Sequence, residues 1–348
     1  MAASRRLLLI TTEFPPQTGG VARYLETLKE YFGKRIRVVS DPTQLLRSHG
    51  PLRWLTAVRL LIKERATYDL VITSHVLPFG TAAWVASWFT RKPYLVVVHG
   101  MDVRLALQHP LKQWVASRVL KRAALVITNS NALNAEVALQ FRLSRLLTIY
   151  PCVNPQRTSP SVSSNDKPLT LLTVGRLVAR KGHLQVLMAL QSLKTTGRIP
   201  PFRYVIVGKG PERTMLEQTA GELNLHEVEF LGEVDENTLR DCYAQADLFV
   251  MPVSNDPIDK EGFGLVFLEA AQFGIPSIST TISGVDEAIV HGQTGLLVAP
   301  GNLQALSQAI FQLSTDISLR QQLGQNAKTR VQNMFACVDQ WKKLDPYL

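Results

Sequence analysis

Short apolar runs recur along the chain, separated by longer stretches in which apolar residues return with helical spacing. In the first 150 residues the runs fall at 7–12, 36–40, 69–74, 94–99, 124–129 and 146–150. Most are rich in Val, Ile and Leu, the texture of strands covered on both faces. The amphipathic stretches between them predict helices, so the order is that of βαβ units around a parallel sheet. At Pro151 the texture changes: PCVNPQRTSPSVSSNDKP has no apolar period and is rich in Pro, Ser and Asn, as a linker is. Strand-like runs resume at 169–174, 203–207, 227–231, 247–251, 276–280 and 295–298. The pattern predicts an α/β chain with a Rossmann-like domain over 1–155, a linker over 156–168 and a second such domain over 169–330.

The stretch 251–276, MPVSNDPIDKEGFGLVFLEAAQFGIP, organises the second half. An apolar run, a polar loop, GFG and an apolar helical stretch follow one another. Strand, loop and helix in that order put the amides of Gly262, Phe263 and Gly264 at a helix N-terminus, where unpaired N–H groups and the helix dipole attract phosphate. Glu261 and Glu269 bracket the turn. The alternative is a capped helix with two solvated glutamates.

In doubly wound sheets ligands bind beyond the carboxyl ends of the strands. Several polar or glycine residues fall there: Gly19 and Gly20; His99, Gly100 and Asp102; Asn129 and Ser130; Gly175, Arg176 and Lys181; Gly208 and Gly210. Arg176 and Lys181, in GRLVARKG, suit a diphosphate, Arg through its fork and Lys as a point charge; otherwise they belong with Arg180 to a solvated basic loop. With the GFG amides they would neutralise a departing nucleoside diphosphate. His99 suits contact with a sugar or a structural role. Asp102 suits an acceptor hydroxyl or a helix cap. There is no D-x-D motif, and Asp256 and Asp259 are three apart, so no dedicated metal site is expected. VGKGPE lacks the third glycine of the dinucleotide fingerprint, which argues against a nicotinamide enzyme.

The length of 348 residues fits two domains of ordinary size. Cysteines are sparse (Cys152, Cys242, Cys337) and lack metal-ligand spacing, favouring a reducing compartment and arguing against a disulfide or zinc scaffold. The apolar core after Arg5 and Arg6 is too short for a secretory leader. The most apolar window, 70–89, is broken by His75, Pro78 and Gly80, so no membrane span is expected. The net charge of +10 is uneven: residues 1–160 hold 22 Lys and Arg against 8 Asp and Glu. A basic first half suggests an anionic partner. Scattered cations without an aromatic platform argue against nucleic acid, leaving an anionic membrane surface. The segment 51–66, PLRWLTAVRLLIKERA, suits either a membrane interface or the cover of the first sheet, and the second, the commoner role of such a helix, is favoured. Trp84 and Trp88 pose the same question. Peripheral association without insertion is the expectation.

Taken together, TGGVARY (18–24), VHGMD (98–102), TNS (128–130), VGRLVARKG (174–182), VGKGPE (207–212), FLGEV (230–234), EGFGLVFLEA (261–270) and GVDEAIVHGQTGLLV (284–298) resemble the retaining GT-B glycosyltransferases of family GT4. The match spans nearly the whole chain. It implies two facing Rossmann-like domains with a cleft between them, the first binding the acceptor and the second the nucleotide sugar. It also implies a C-terminal helix, 331–348, that crosses back to the first domain. In that resemblance Glu261 binds donor-sugar hydroxyls and Glu269 the ribose, while Arg176 and Lys181 hold the diphosphate. Phe263, Gly264 and Leu265 lend backbone N–H groups, Gly20 approaches the phosphate and His99 lies beside the donor sugar. The backbone at Val234 meets the base, and Gly208 and Gly210 lie near the nucleoside. The chain has PCVNP at 151–155 where the family often has PNGVD, which bears on hinge contacts.

The implied activity is retaining transfer of a hexosyl group, from a mannosyl or glucosyl donor by family frequency, to a lipid-linked or saccharide acceptor in glycolipid or polysaccharide synthesis. It would run without a metal or other cofactor, in the cytoplasm or on the inner face of the membrane. The alternatives are a soluble sugar-phosphate or glucan synthase, and a non-catalytic binding subunit of the same fold.

Overall fold

The computed structural model describes residues 5–46, 52–154, 167–256, 259 and 261–348. It divides into two compact units, 1–152 with 337–348, and 153–336. Each is built on one six-stranded parallel sheet.

In the first unit the strands are β1 (Leu7–Ile10), β2 (Ile36–Val39), β3 (Leu70–Ser74), β4 (Tyr94–Val98), β5 (Leu125–Thr128) and β6 (Leu146–Thr148), in the order β2-β1-β3-β4-β5-β6. In the second they are β7 (Leu169–Val174), β8 (Phe202–Val207), β9 (Val228–Gly232), β10 (Leu248–Val250), β11 (Ser277–Thr280) and β12 (Gly295–Val298), in the order β12-β11-β10-β7-β8-β9. Every residue of β1, β3, β4, β5, β7, β10 and β11 is buried, which is why these strands, apart from the Ser- and Thr-rich β11, are mainly apolar rather than alternating. All twelve runs of the apolar pattern are strands, most of them a residue or two shorter. β4 ends at Val98, for instance, because His99 already turns into the loop.

Each order reverses direction once. The reversal lies between β1 and β3 in the first sheet and between β7 and β10 in the second. At such a switch point the loops from neighbouring strands diverge and leave a crevice at the carboxyl edge.

Two outer features of the first unit bear on function. The helix Leu55–Lys63 turns Ala57, Val58 and Leu61 into the core, so this stretch covers the sheet. The helix Cys337–Lys342 lies on the helix Gly20–Phe32, with Trp341 buried and its indole Nε1 donating to Thr27 Oγ1 at 3.0 Å. Cys152 and Cys337 form a disulfide, with Cα atoms 4.9 Å apart, contrary to the expectation from sparse cysteines. The partners are 185 residues apart in sequence, so only the return of the chain to the first unit makes the pair; spacing along the sequence carries no sign of it. Most of the expected linker, 155–166, lies outside the described residues.

Candidate active site

At the second switch point β7 delivers Gly175 and Arg176 and then a short turn, Ala179–Lys181, ahead of the helix His183–Thr195. This loop is zipped to the one after β8: Gly175 N donates to Val207 O and Leu177 N to Lys209 O, each at 2.9 Å. The approach leaves no room for side chains at Gly208 and Gly210. A Cβ at Gly208 would stand 2.0 Å from Gly175 O, and one at Gly210 2.2 Å from Leu177 O. Gly208 N donates to Gly232 O at 2.7 Å, two residues before half-buried Val234, and Lys209 in the same loop pairs with Glu233 at 2.7 Å.

β10 delivers the other side. Ser254 N donates to Arg180 O at 2.7 Å and ties the loop after β10 to the turn after β7. Glu261 then meets two cations at once: Lys181 Nζ and Arg180 Nη1 each donate to its Oε2 at 2.7 Å. Asp259 lies 2.8 Å from Arg180 Nε and 3.2 Å from Arg176 Nη2. Lys181 and Glu261 are nearly out of solvent, whereas Arg176 is largely in it. Burial alone would raise the Glu261 carboxyl, but the Lys181 ammonium and Arg180 guanidinium hold it down at about 2. Among the described residues this cluster sets three cations against two carboxylates, leaving positive charge for an anion.

The helix Leu265–Gln272 begins one residue beyond Gly264, whose φ of 85° lies in the left-handed region that favours glycine. Among the described residues no side chain caps this N-terminus, so Gly262, Phe263, Gly264 and Leu265 sit at a helix start of the kind that receives anions. Phe263 is buried with its ring 5.5 Å from that of Phe335, which anchors the turn. One turn into the helix, buried Glu269 accepts from Tyr243 Oη at 2.8 Å. Tyr243 in turn stacks on Phe273, with centroids 5.6 Å apart. His183 supports the cation loop from below: its Nε2 is 3.2 Å from Arg176 O, and burial pushes its imidazole down to about 4, so it is neutral and donates this bond. Of the residues singled out from sequence, Arg176, Lys181, Glu261, Phe263, Gly264, Leu265, Glu269, Gly208, Gly210 and Val234 therefore share the second unit, and the first three form one ionic cluster through Asp259 and Arg180. Arg180, whose neighbours in sequence suggest only a solvated loop, is at its centre. Tyr243 gave no signal in the sequence.

Gly20, His99 and Asp102 belong to the first unit. Gly20 opens the helix Gly20–Phe32 and no side chain caps this start; a Cβ at Gly19 or Gly20 would meet nothing within 4 Å. Asp102 commits both oxygens to backbone: Oδ1 accepts from His99 N and Gly100 N, and Oδ2 from Val76 N, all at 3.0 Å. It reaches back to brace the loops after β3 and β4 instead of capping the helix that follows. His99 is held neutral, with burial first and the neighbouring His75 second pushing its imidazole down to about 3 against the pull of Asp102. Ser74, His75 and Glu13, which no motif flagged, complete this edge. Among the described residues no group of His, Cys, Asp and Glu has the arrangement of a metal site, and no helix is long and apolar enough to cross a membrane.

Comparison with known proteins gives this geometry its context. The family model of glycosyl transferases group 1 matches residues 156–330, and that of glycosyltransferase family 4 matches residues 18–157. The chain belongs to the glycosyl transferases group 1. It is a glycosyltransferase of GT4 type with the GT-B fold. Curated relatives include a GDP-mannose-dependent alpha-(1-6)-phosphatidylinositol monomannoside mannosyltransferase of Mycolicibacterium smegmatis, 27% identical over 89% of each chain. A glycogen synthase of Mycobacterium tuberculosis is 29% identical over 84% of this chain and 71% of its own. Among solved structures, sucrose-phosphate synthase from Thermosynechococcus elongatus superposes with a TM-score of 0.80 at 23% identity, covering 98% of this glycosyltransferase and 97% of that chain. Anabaena Alr3699/HepE in complex with UDP-glucose gives 0.79 at 22% identity over 98% of each. Both structural likenesses are to the fold. The names of these proteins specify nucleotide sugars, GDP-mannose for the Mycolicibacterium enzyme and UDP-glucose for the Anabaena complex.

Proposed function

We propose that this glycosyltransferase moves a hexosyl group, with retention, from a nucleoside-diphosphate sugar to a lipid-linked or saccharide acceptor. The observation that carries the reading is the Arg176–Arg180–Lys181 cluster interlocked with Glu261 beside an uncapped helix start. Lys181 and Arg176 meet the diphosphate, with the Phe263–Leu265 amides as further donors. Glu261, whose ionised carboxylate is available as an acceptor, binds sugar hydroxyls, and Glu269 the ribose. Gly208, Gly210 and the backbone at Val234 border the nucleoside. In the transfer the anomeric carbon–phosphate oxygen bond breaks and a bond to the acceptor oxygen forms on the same face. The acceptor proton passes to the departing phosphate, so no protein nucleophile is needed. The cations supply the charge that a metal would bring, and the rate is expected to be insensitive to EDTA.

A thermal-shift panel of UDP, GDP and ADP sugars identifies the donor, since a ligand that binds the folded state raises its melting temperature. Slow donor hydrolysis and an α-configured product from an α-linked donor, read by NMR, then test transfer with retention. An inverted product overturns the mechanism. The name of the mycobacterial relative supports a lipid-linked acceptor. That of the glycogen synthase supports the second reading, a synthase acting on a glucan or a sugar phosphate.

A lipid-linked acceptor goes with a membrane-facing surface, and the first unit has one of suitable chemistry. Trp88, Phe89, Leu111 and Trp114 are each more than half exposed. Leu111, Trp114, Arg118 and Arg122 form one stripe on the helix Pro110–Arg122. Arg118 covers the Trp114 ring and Arg122 the Trp88 ring, both at 5.3 Å. Between residues 81 and 125 the only acid is Asp102, which is turned to backbone. This aromatic and basic stripe, rather than the sheet-covering segment at 51–66, is the face that would rest on anionic lipid at the cytoplasmic side. Flotation with anionic vesicles tests it: Trp114→Ala with Arg118→Ala should abolish salt-sensitive binding, and unchanged flotation would remove the surface.

A further inference from the structure

The first switch point holds a chain of four polar side chains drawn from the ends of three strands. Ser74 Oγ, fully buried at the end of β3, lies 3.1 Å from His75 Nδ1 and 3.0 Å from His99 Nε2. His75 Nε2 lies 3.4 Å from Glu13 Oε1, in the loop after β1. The two imidazole centroids are 5.1 Å apart. His75 holds this place with φ at 76°, uncommon for a residue with a side chain. Its N–H donates to Val97 O at 2.9 Å and its carbonyl accepts from Gly80 N at 3.3 Å. A strained backbone that the neighbourhood fixes so firmly is a mark of functional edges.

One hydroxyl carries one proton and stands between two ring nitrogens, so it donates to one and accepts from the other. That leaves two arrangements. With His75 neutral and its Nε2–H turned to the Glu13 carboxylate, Nδ1 is bare and accepts a hydrogen bond from the Ser74 hydroxyl. Ser74 then accepts from His99 Nε2–H, and His99 Nδ1 is a bare acceptor. With His75 protonated, its Nδ1–H donates to Ser74, the hydroxyl turns to His99 Nε2, and the His99 proton must reside on Nδ1. His99 is neutral in both, in keeping with its depressed basicity.

We propose that Ser74 and His75 are positioning residues: the protonation of His75, governed by Glu13, sets the tautomer of His99 through the Ser74 hydroxyl. The consequence for transfer rests on the reading above that His99 lies beside the donor sugar. In the neutral-His75 arrangement Nδ1 accepts from a sugar hydroxyl and no imidazolium opposes the positive charge that develops on the ring. In the other, Nδ1 presents a hydrogen and His75 adds a like charge, so transfer is slower. The titratable groups that face His75 are Glu13 from the β1 loop, His99 from β4 and Asp102, whose Oδ2 accepts from the adjoining Val76 N–H. The helix Pro110–Arg122 meets the same turn through Val119.

Long-range proton–nitrogen NMR of the full chain, labelled on histidine, reads the tautomer directly. In the wild type His99 should change from Nδ1–H to Nε2–H as His75 loses its proton. Ser74→Ala should leave His75 titrating but freeze the His99 tautomer and remove the corresponding limb of the pH–rate profile. Glu13→Gln should move the tautomer change and the rate limb together. Unchanged nucleoside-diphosphate affinity, a property assigned to the second unit, checks that the variants are folded. A His99 tautomer that is constant with pH in the wild type, or that still switches in Ser74→Ala, overturns the relay. A tautomer that switches while the rate profile of Ser74→Ala keeps its limb upholds the relay and removes His99 from beside the sugar.

Discussion

The two sheets share one logic and carry opposite chemistry at the place where it matters. At the β7–β10 switch point three cations and two carboxylates interlock, and Lys181 and Glu261 are nearly dry. At the β1–β3 switch point two imidazoles bridged by a hydroxyl lie between Glu13 and a backbone-bound Asp102, and the adjoining helix start at Gly20 is open. The first arrangement is electrostatic and suits a fixed charge such as a diphosphate. The second can pass a change of protonation from one group to the next and suits hydroxyls. A doubly wound sheet supplies the crevice; the residues at its rim decide what it is for.

The largest effect should come from Glu261→Ala. Its loss removes an acceptor for sugar hydroxyls and leaves Lys181 and Arg180 without their shared partner. Turnover should fall about 100- to 1,000-fold, while nucleoside diphosphate binds as well or tighter, measured by steady-state kinetics and calorimetry. Normal turnover would break the contrast between the two edges, because the second would then not host the reaction. Lys181→Ala should weaken nucleoside-diphosphate binding by about 10- to 100-fold, the worth of one hydrogen bond to a charged group. Unchanged affinity would remove the ammonium from the diphosphate site.

Smaller effects sharpen the comparison. Gly210→Ala forces a Cβ against the Leu177 carbonyl, and overpacking of this kind costs about 1–3 kcal/mol. It should lower the melting temperature of the second unit by several degrees in a calorimetric scan, with a weaker effect from substitution at Gly20, where space is open. The pH dependence of stability should be the mildest. His99 and His183, at about 3 and about 4, are depressed below the ordinary imidazole value. Their contribution is complete above the unfolded value of about 6.5 and is lost progressively as pH falls through that value toward their folded ones, because the unfolded chain takes up protons first. Glu261, depressed to about 2, adds a second loss below the unfolded carboxylate value of about 4.3. Urea midpoints from pH 7 to 3 should therefore fall in two stages, and His183→Asn should flatten only the upper one.

Much of the second edge was legible because its residues are contiguous. GRLVARKG and EGFG each place their chemistry within one strand-to-helix loop, where local order and spatial order coincide. Even there nothing within GRLVARKG singles out Arg180, since its role depends on Asp259 and Glu261 arriving from the loop after β10. The first edge was barely legible. His99 is visible in VHGMD, but Glu13 and the pair Ser74 and His75 lie in two separate stretches without a motif. The disulfide was missed for the same reason: Cys152 and Cys337 meet only because the last helix returns to the first unit.

The sequence by itself determined which segments are strands and helices, that the sheets are parallel and covered on both faces, and that a glycine turn opens the helix at Leu265. Those follow from the period of apolar residues and from glycine and charge within a few positions of one another. Only the tertiary structure decided which cation pairs with which carboxylate, that Asp102 braces backbone, and that a serine bridges two histidines. Strand order sets those partners, and strand order is a property of the folded sheet that neighbouring residues along the chain do not encode.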